Sequence, residues 1–317
     1  TAGTSPVIIA ASGPSLSSSI PFLKKYRKDI FLIAVSSAIE PLLYQGVMPD
    51  LFFSTDGGFY ARGHLFALER YAGTTDIPIA LPAEAACPAS LLEKRSILPL
   101  SYQDFPESDF FDCLKLPSMR ALRNGTVSGT AVQFALSITA GNVYCCGLDM
   151  AEAKGFQHTQ PNELEIENAI YDGRLKPQTT RLSIAGMPSQ SLAIYRNWFS
   201  EQGTVFKNRV KRIRSNYTYT NRLGTIEDCL WSNFSEKKGK MPVVKKEISV
   251  NTKKEKSIKI TKLIENICMS ESWLHNSFPA DFICWKRSSG QKKEQYYKIL
   301  NEKNQKMLIK IRNLLHE

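Results

Sequence analysis

The sequence predicts an α/β fold: a Rossmann-like, open and mostly parallel sheet with helices on both faces, followed by a small, basic, mainly helical C-terminal region. Two observations predict this architecture. Short apolar segments alternate with helical patterns over the first two-thirds of the 317-residue chain, which is typical of βαβ units. Within the apolar segments, hydrophobic and polar residues do not alternate, as expected for parallel strands that are covered on both faces.

The N-terminal elements follow one another as strand, turn and helix. Val7–Ala11 is an apolar strand, and a tight turn leads into a helix that begins at Ser15, a residue type that favours helix starts. We expect that helix to end at Tyr26. The same pattern predicts a helix at Ser37–Tyr44 and strands at Ile30–Val35, Leu51–Ser54, Ile77–Leu81 and Ser96–Leu98.

The region after residue 127 repeats this alternation and then loses it. A helix is predicted at Ser128–Thr139 and a buried strand at Asn142–Cys146. Gly147–Arg181 shows no clear period, and a long irregular stretch in a compact domain is usually a functional loop. An amphipathic helix at Ser189–Phe199 and a strand at Thr204–Phe206 are expected to complete this part.

The positive charge of the chain is concentrated towards its C-terminal end. Residues 1–231 carry 22 basic and 21 acidic side chains, whereas residues 232–317 carry 19 basic and 9 acidic ones. We therefore expect a domain at 1–231 that holds the motifs, a Lys-rich linker or surface segment at 232–262, and a helical C-terminal region at 263–317. The Lys-rich segment lacks interleaved aromatic residues, so no specific nucleic-acid binding is expected.

Composition predicts a cytoplasmic protein without a membrane span. No apolar run reaches the roughly 18 residues of a transmembrane helix, and no charged segment followed by an apolar one marks a signal peptide. The seven cysteines include no CxxC pair and no zinc-type spacing. Cys145 and Cys146 lie in an apolar run, where buried thiols are expected, as in a reducing compartment.

Small and polar residues follow the first three predicted strands, where ligands of open parallel sheets bind. After the first strand, a turn places a helix N-terminus, with N–H groups suited to phosphate, at the sheet edge. This turn consists of Ser12, Gly13, Pro14 and Ser15. Ser36 follows the second strand. Asp56 follows the third and could accept a hydrogen bond from a ribose or sugar hydroxyl, or hold a metal, although an ordinary turn also fits it.

A second group of candidates flanks the strand at 142–146. Ser128, Gly129 and Thr130 open a helix and could hold a phosphate or carboxylate through N–H and hydroxyl groups. Gly147 and Asp149 follow the strand itself, so they are expected at the same edge of the sheet. Both groups of candidates are therefore predicted to face a single crevice.

His158 is the candidate general base, because it lies in the irregular segment beyond this strand and histidine titrates near neutral pH. A surface loop histidine fits the same pattern. His64, His275 and His316 have no comparable sequence context. The chain lacks the GxGxxG pattern of dinucleotide sites, a nucleophilic-serine elbow, a GKS/T phosphate loop and HExxH, so those classes of enzyme are not indicated.

Taken together, the motifs resemble a known family. Val7–Leu16, Gly46–Asp50 with Asp56, and Ser128–Asp149 are similar to the MptE-like domain, a domain of unknown function numbered 115, which forms the centre of the motility-associated factor (Maf) flagellin glycosyltransferases. They also resemble bacterial sialyltransferases of glycosyltransferase family 42, which share the Gly-Pro-Ser-Leu turn and a Gly-x-Asp strand end. The resemblance covers roughly residues 5–210.

The resemblance implies an inverting glycosyltransferase whose donor is a CMP-activated nonulosonic acid of the pseudaminic or legionaminic type. The acceptor would be a Ser or Thr hydroxyl of flagellin or another protein. By the same resemblance, the residues after the first three strands would face the nucleotide or sugar, and Ser128–Thr130 would hold the phosphate or the donor carboxylate. His158 would deprotonate the acceptor hydroxyl. No cofactor or metal is required for this reaction.

Two other functions fit the same sequence. Archaeal members of the superfamily transfer diphosphate from ATP to a hydroxymethylpterin, and the resemblance to them implies Mg²⁺ on carboxylates such as Asp56 and Asp149. A non-catalytic module that binds a flagellar partner is the other alternative, because one fold serves many functions.

Overall fold

The computed structural model describes residues 3–104, 106–150, 158–177, 190–214, 223–224, 226–242 and 253–316. The chain divides into two compact units. The first comprises Thr1–Tyr102 and Met119–Lys245, and the second comprises Gln103–Ser118 and Lys246–Glu317. Within the described ranges, every helix is too short or too polar to cross a membrane.

The first unit is built around one parallel sheet. Its strands in the described residues are β1 Val7–Ala10, β2 Phe31–Val35, β3 Leu51–Phe53, β4 Ile79–Pro82, β5 Ile97–Ser101, β6 Met119–Arg120, β7 Val143–Cys146, β8 Val210–Ile213 and β9 Glu227–Cys229. Their order is β6-β5-β4-β3-β2-β1-β7-β8-β9. The order reverses beside β1, where Ile8 lies between Leu32 of β2 and Tyr144 of β7.

The helices of this unit connect successive strands. They are α1 Leu16–Tyr26, α2 Ile39–Tyr44, α3 Ala67–Arg70, α4 Ala89–Lys94, α6 Val127–Ile138, α7 Glu163–Ile170, α8 Gln190–Ser200 and α9 Thr204–Arg209. Short 3₁₀ helices lie at Ser36–Ala38, Phe59–Leu65 and Trp231–Asn233. Because parallel crossovers are right-handed, the reversal of strand order beside β1 puts helices on both faces of the sheet.

The central strands form the core because both of their faces are covered. Every residue of β1, β2, β3 and β7 is buried. On one face, α6 packs against β1, β2 and β7, and its Phe134 contacts Phe53 with ring centroids 5.3 Å apart. The helix α1 is held by Trp231, which stacks on its Phe22 and donates a hydrogen bond to its Ser19. The predicted α/β class with covered parallel strands is thus confirmed.

The second unit is helical. Its helices in the described residues are α5 Glu107–Leu114, α10 Lys253–Cys268, α11 Glu271–Ser277, α12 Pro279–Arg287 and α13 Gly290–His316. The helix α5 packs against α10, and α12 packs against α13. Asn304 of α13 is buried, and both polar groups of its side chain have a partner. It accepts a hydrogen bond from Trp273 and donates one to the Cys268 carbonyl. The predicted helical character of the C-terminal region is confirmed, and α10 begins at Lys253 inside the Lys-rich segment.

Two predicted elements were wrong. The expected strand Thr204–Phe206 is the start of α9, since two apolar residues in a row cannot distinguish a strand from a helix. The expected irregular stretch Gly147–Arg181 contains α7. The Leu164 N–H donates to the Asn162 side chain 3.2 Å away, which is a helix-start bond that the apolar period does not reveal.

The strands β8 and β9 were not predicted because they carry charged residues. Arg212 of β8 is fully buried and donates two hydrogen bonds to the Asp228 carboxylate of β9, at 2.8 and 2.9 Å. A buried charge needs such a partner, and the partner is one strand away in space but 16 residues away in sequence. No local sequence pattern contains that information.

Candidate functional site

A cavity of about 740 Å³ opens at the carboxyl edge of the sheet in the first unit. Its volume lies in the usual range of ligand pockets, roughly 300–1,000 Å³. Residues that follow β1, β2, β3, β4, β5 and β7 all contribute to its wall, together with the start of α6. The cavity includes the reversal between β1 and β7, which is the point where open parallel sheets bind ligands.

Nine of the twelve sequence-predicted site residues line this cavity. They are Ser12, Gly13, Ser36, Asp56, Ser128, Thr130, Gly147, Asp149 and His158. Pro14, Ser15 and Gly129 are not among the lining residues. The preceding Gly155, Phe156 and Gln157, which belong to the same motif as His158, lie outside the described residues. The roles assigned to the nine residues remain predictions.

In the turn between β1 and α1, two N–H groups that the sequence led us to expect as free are bonded within the protein. The Gly13 N–H donates to the Gly147 carbonyl at 2.8 Å, and the Ser15 N–H donates to Asp149 Oδ2 at 2.6 Å. Pro14 has no N–H. The carboxylate of Asp149 therefore occupies the N-terminus of α1, where a ligand phosphate was predicted.

Gly13 and Gly147 are required for this internal contact. A Cβ on Gly13 would lie 2.4 Å from the Gly147 carbonyl oxygen and 2.6 Å from Asp149 Oδ2. A Cβ on Gly147, whose φ is +67°, would lie 2.1 Å from the Ala11 carbonyl oxygen. Both glycines let the ends of β1 and β7 approach each other, which differs from the predicted approach of Gly13 to a phosphate.

Replacing Asp149 with Ala is expected to lower the free energy of unfolding by about 2 kcal/mol, because the buried Ser15 N–H loses a charged acceptor. Urea unfolding of the full chain measures this change. Asp56→Ala is the matched control, since the exposed Asp56 side chain accepts, from the described part of the chain, only the Gly58 N–H two residues away. Equal losses in the two variants would contradict the structural role of Asp149.

The start of α6 does offer free donors to the cavity. In the part of the chain that the structure describes, the N–H groups of Val127 and Ser128 have no acceptor, and the N-cap residue Thr126 makes no side-chain cap. The Ser128 side chain is 8% exposed, lines the cavity, and its hydroxyl has no protein partner among the described residues. This helix end can therefore bind an anion through N–H groups, the helix dipole and a hydroxyl.

Two residues of the same motif have other roles. The Thr130 hydroxyl donates to Asn124 Oδ1 at 2.8 Å, which fixes the loop before α6. A Cβ on Gly129 would lie 2.7 Å from the indole of Trp198, so this glycine makes room for α8. Because Gly129 does not line the cavity and the Thr130 hydroxyl is bonded, Val127 and Ser128 remain the candidates for binding an anion.

His158 is held in the cavity by its neighbours in sequence. The Thr159 N–H donates to the Ser12 carbonyl at 2.7 Å, and the Thr159 hydroxyl donates to the Gly13 carbonyl at 2.7 Å. Asn162, which is 1% exposed, donates to the Ser37 carbonyl at 3.1 Å. These bonds fasten the segment after β7 to the ends of β1 and β2. Sequence analysis overlooked both Thr159 and Asn162, because neither belongs to a strand end.

A second histidine, His64, lies beside His158 with an edge-to-face contact and ring centroids 5.8 Å apart. Burial lowers the pKa of His64 to about 4, with a further decrease from His158 and a smaller opposing effect of Asp56. Burial also lowers the pKa of His158. Both rings are therefore neutral at pH 7 and have a free lone pair. The only sequence signal for His64 is its position in the loop that also carries Asp56.

The stability of the protein is expected to fall as the pH decreases from 6.5 to 4. In this window the unfolded chain protonates His64 at its ordinary pKa, whereas the folded state resists protonation. One such group contributes a slope of at most about 1.4 kcal/mol per pH unit. Urea unfolding at several pH values should show a shallower slope for His64→Gln, and an unchanged slope for the exposed control His275→Gln. Identical slopes in wild type and His64→Gln would contradict the assignment.

The opposite rim of the cavity is formed by Glu84, Tyr102 and Arg123, which follow β4, β5 and β6. Arg123 donates from Nη1 and Nη2 to the two oxygens of Glu84, at 2.5 and 2.8 Å. Its guanidinium carbon lies 4.2 Å from the centre of the Tyr102 ring. None of these three residues was predicted, because the strands before them are short and weakly patterned.

Comparison with known proteins finds a family and more distant similarities. Residues 1–155 match the family described as 6-hydroxymethylpterin diphosphokinase MptE-like. An uncharacterized protein of Treponema pallidum (strain Nichols) is 32% identical over 214 residues, covering 67% of this chain and 47% of that protein. The chain thus spans about half the length of this relative.

A solved structure is also similar to this chain. The MAf glycosyltransferase from Magnetospirillum magneticum AMB-1 matches with a TM-score of 0.41 and 20% sequence identity, over 48% of this chain and 24% of that one. A similarity at this level does not support a conclusion about activity.

Proposed function

We propose that this chain, whose residues 1–155 match the MptE-like family, is a glycosyltransferase that binds a nucleotide-activated sugar in the cavity. One observation carries the proposal. The same cavity contains a helix start with free N–H groups, at Val127 and Ser128, and a half-buried histidine, His158, whose pKa burial lowers. The first suits a phosphate and the second suits an acceptor hydroxyl that must lose a proton.

The proposed donor is a CMP-activated nonulosonic acid, and the proposed acceptor is a Ser or Thr hydroxyl of flagellin or another protein in the cytoplasm. Both follow from the resemblance of the strand-end motifs to Maf glycosyltransferases and bacterial sialyltransferases. In the cavity, Ser12 and Ser37 share a hydrogen bond of 2.6 Å between their hydroxyls, and Asp56 is exposed. These groups suit ribose or sugar hydroxyls, which are both donors and acceptors.

In the proposed reaction, the acceptor oxygen attacks the anomeric carbon of the sugar while His158 takes the hydroxyl proton. The bond between that carbon and the phosphate oxygen breaks, and CMP departs with the electron pair and its negative charge. The α6 start stabilises that charge, and Thr159 and Asn162 keep His158 in position. Attack on the side opposite the departing phosphate inverts the anomeric centre.

Isothermal titration with CMP in the absence of added metal tests the proposal. We expect binding to the wild-type chain and a loss of at least about tenfold in Ser128→Pro, which removes one N–H and the hydroxyl. Ser232→Pro, an exposed serine outside the cavity, controls for the effect of proline itself. An absence of CMP binding would refute the proposed donor and favour a non-catalytic module.

The description of the matched family supports a second candidate, a diphosphokinase that uses ATP and Mg²⁺. The carboxylates predicted for Mg²⁺ do not fit this role well. Asp149 is buried and accepts the Ser15 N–H, and Asp56 accepts the Gly58 N–H. Among the described residues, no cluster of three or more potential ligands is suited to hold a metal ion. Binding of ATP with Mg²⁺, without binding of CMP, would favour this candidate over the transferase.

A further inference from the structure

We infer that Arg123 selects donor sugars that bear a carboxylate: its guanidinium binds the carboxylate while the start of α6 binds the phosphate of the same donor. This inference rests on the proposed function and deepens it, because it assigns the substrate class to one side chain. Arg123 lies just before the N-cap of α6, so both anion-binding groups belong to one continuous segment of the cavity wall.

The geometry of Arg123 is that of a carboxylate clamp. Its Nη1 and Nη2 atoms each donate to a different oxygen of Glu84, at 2.5 and 2.8 Å, which is the two-point arrangement that guanidinium groups make with carboxylates. The Tyr102 ring lies 4.2 Å from the guanidinium carbon and restricts its orientation. Glu84 therefore occupies the place that a carboxylate of the substrate would take.

Glu84 can be exchanged for a ligand. The side chains of Arg123 and Glu84 are 51% and 46% exposed, and an ion pair between groups this accessible contributes little to stability. Both residues line the cavity, so a ligand bound there can come into contact with Arg123. The exchange keeps two hydrogen bonds on the guanidinium and releases the Glu84 carboxylate to solvent.

The positive features of the cavity suit a donor with two neighbouring anions. Among the described lining residues, Arg123 is the only side chain with a permanent positive charge, beside the carboxylates of Asp56, Glu84 and Asp149. In a nonulosonic acid donor, one carbon bears both the carboxylate and the phosphate-linked oxygen. Two anionic groups so close together require two adjacent positive features, which Arg123 and the α6 dipole provide. Most other nucleotide sugars have no carboxylate on this carbon, so the N–H groups at the start of α6 are enough to bind their phosphate.

Titration with two ligands tests the inference. The probes are CMP, which has only the phosphate, and CMP-N-acetylneuraminate, which adds the carboxylated sugar. We expect Arg123→Ala to weaken binding of CMP-N-acetylneuraminate about 30-fold while CMP binding changes less than about threefold. Arg123→Lys should weaken it about tenfold, because an ammonium does not make the two-point contact. Glu84→Gln should tighten it, because the internal competitor loses its charge.

Arg120→Ala is the matched control, since Arg120 is exposed on β6 and does not line the cavity. Thermal unfolding of each variant separates lost binding from lost folding, and Arg123→Lys and Glu84→Gln keep the test valid if Arg123→Ala does not fold. Equal losses for both ligands, or no loss for either, overturn the inference while the proposed function stands. A wild-type chain that binds neither ligand overturns both.

Discussion

Replacing His158 with Ala is expected to reduce sugar transfer about a thousandfold, a typical loss for a missing general base. The affinity for CMP should remain within a few-fold of wild type, because Val127 and Ser128, which bind the phosphate in our proposal, lie on α6. Single-turnover transfer from CMP-N-acetylneuraminate to an acceptor peptide, combined with CMP titration, measures the two effects separately. A loss of transfer with retained CMP binding indicates a missing base, whereas a loss of both indicates a disrupted cavity.

The control for this experiment is His275→Ala. His275 is exposed on α11 of the second unit and should leave transfer unchanged. The pH dependence provides a further check: burial lowers the pKa of His158, so wild-type activity should persist below pH 6.5, where an ordinary histidine is protonated. Activity of His158→Ala close to that of wild type would remove His158 from the mechanism.

Replacing Gly147 with Ala should lower the free energy of unfolding by roughly 3 kcal/mol or more. The added Cβ would lie 2.1 Å from the Ala11 carbonyl oxygen, and the φ of +67° is itself unfavourable for alanine. The backbone of β1 would have to move, and with it the hydrogen bonds of Gly13 to Gly147 and of Ser15 to Asp149. Chemical denaturation of the full chain measures the loss, and weaker CMP binding should accompany it.

Gly46→Ala separates the two causes of this loss. Gly46 has a similar φ of +69°, but apart from its two chain neighbours no described residue has an atom within 4 Å of the position of its added Cβ. It should therefore show only the conformational cost, about 1 kcal/mol. If Gly147→Ala were no more destabilising than Gly46→Ala, the close approach of β1 and β7 would not be important for stability.

Most of the fold could be predicted because its strands are apolar and its turns carry small residues. Three of the strands are buried on both faces: Val7–Ala10, Phe31–Val35 and Val143–Cys146. Such strands are continuous apolar runs, which the sequence shows directly. The strands β8 and β9 were not predicted because they carry charged residues, and Arg212 of β8 forms an ion pair with Asp228 of β9. Pairing of charges between strands depends on tertiary structure, which local periodicity does not encode.

The site was predictable where it depended on strand ends and less so where it depended on hydrogen bonds. Parallel strands bring Ser12, Asp56, Ser128 and Asp149 to one edge, as expected. Which N–H groups are free was not predictable, because the Asp149 carboxylate comes from 134 residues away to bind Ser15. His64 and Arg123 follow short, poorly patterned elements, and only the folded chain shows that they face the same cavity.

The contact of Asp149 with Ser15 makes the two sides of the cavity electrostatically different. Both α1 and α6 begin at this edge of the sheet, and an internal carboxylate makes the α1 side repel an incoming anion. A ligand with one charged and one uncharged end therefore has a single favourable orientation, with its charged end towards α6. In our proposal the phosphate of the donor therefore lies at α6, so the position of the leaving group is set before any bond is made or broken.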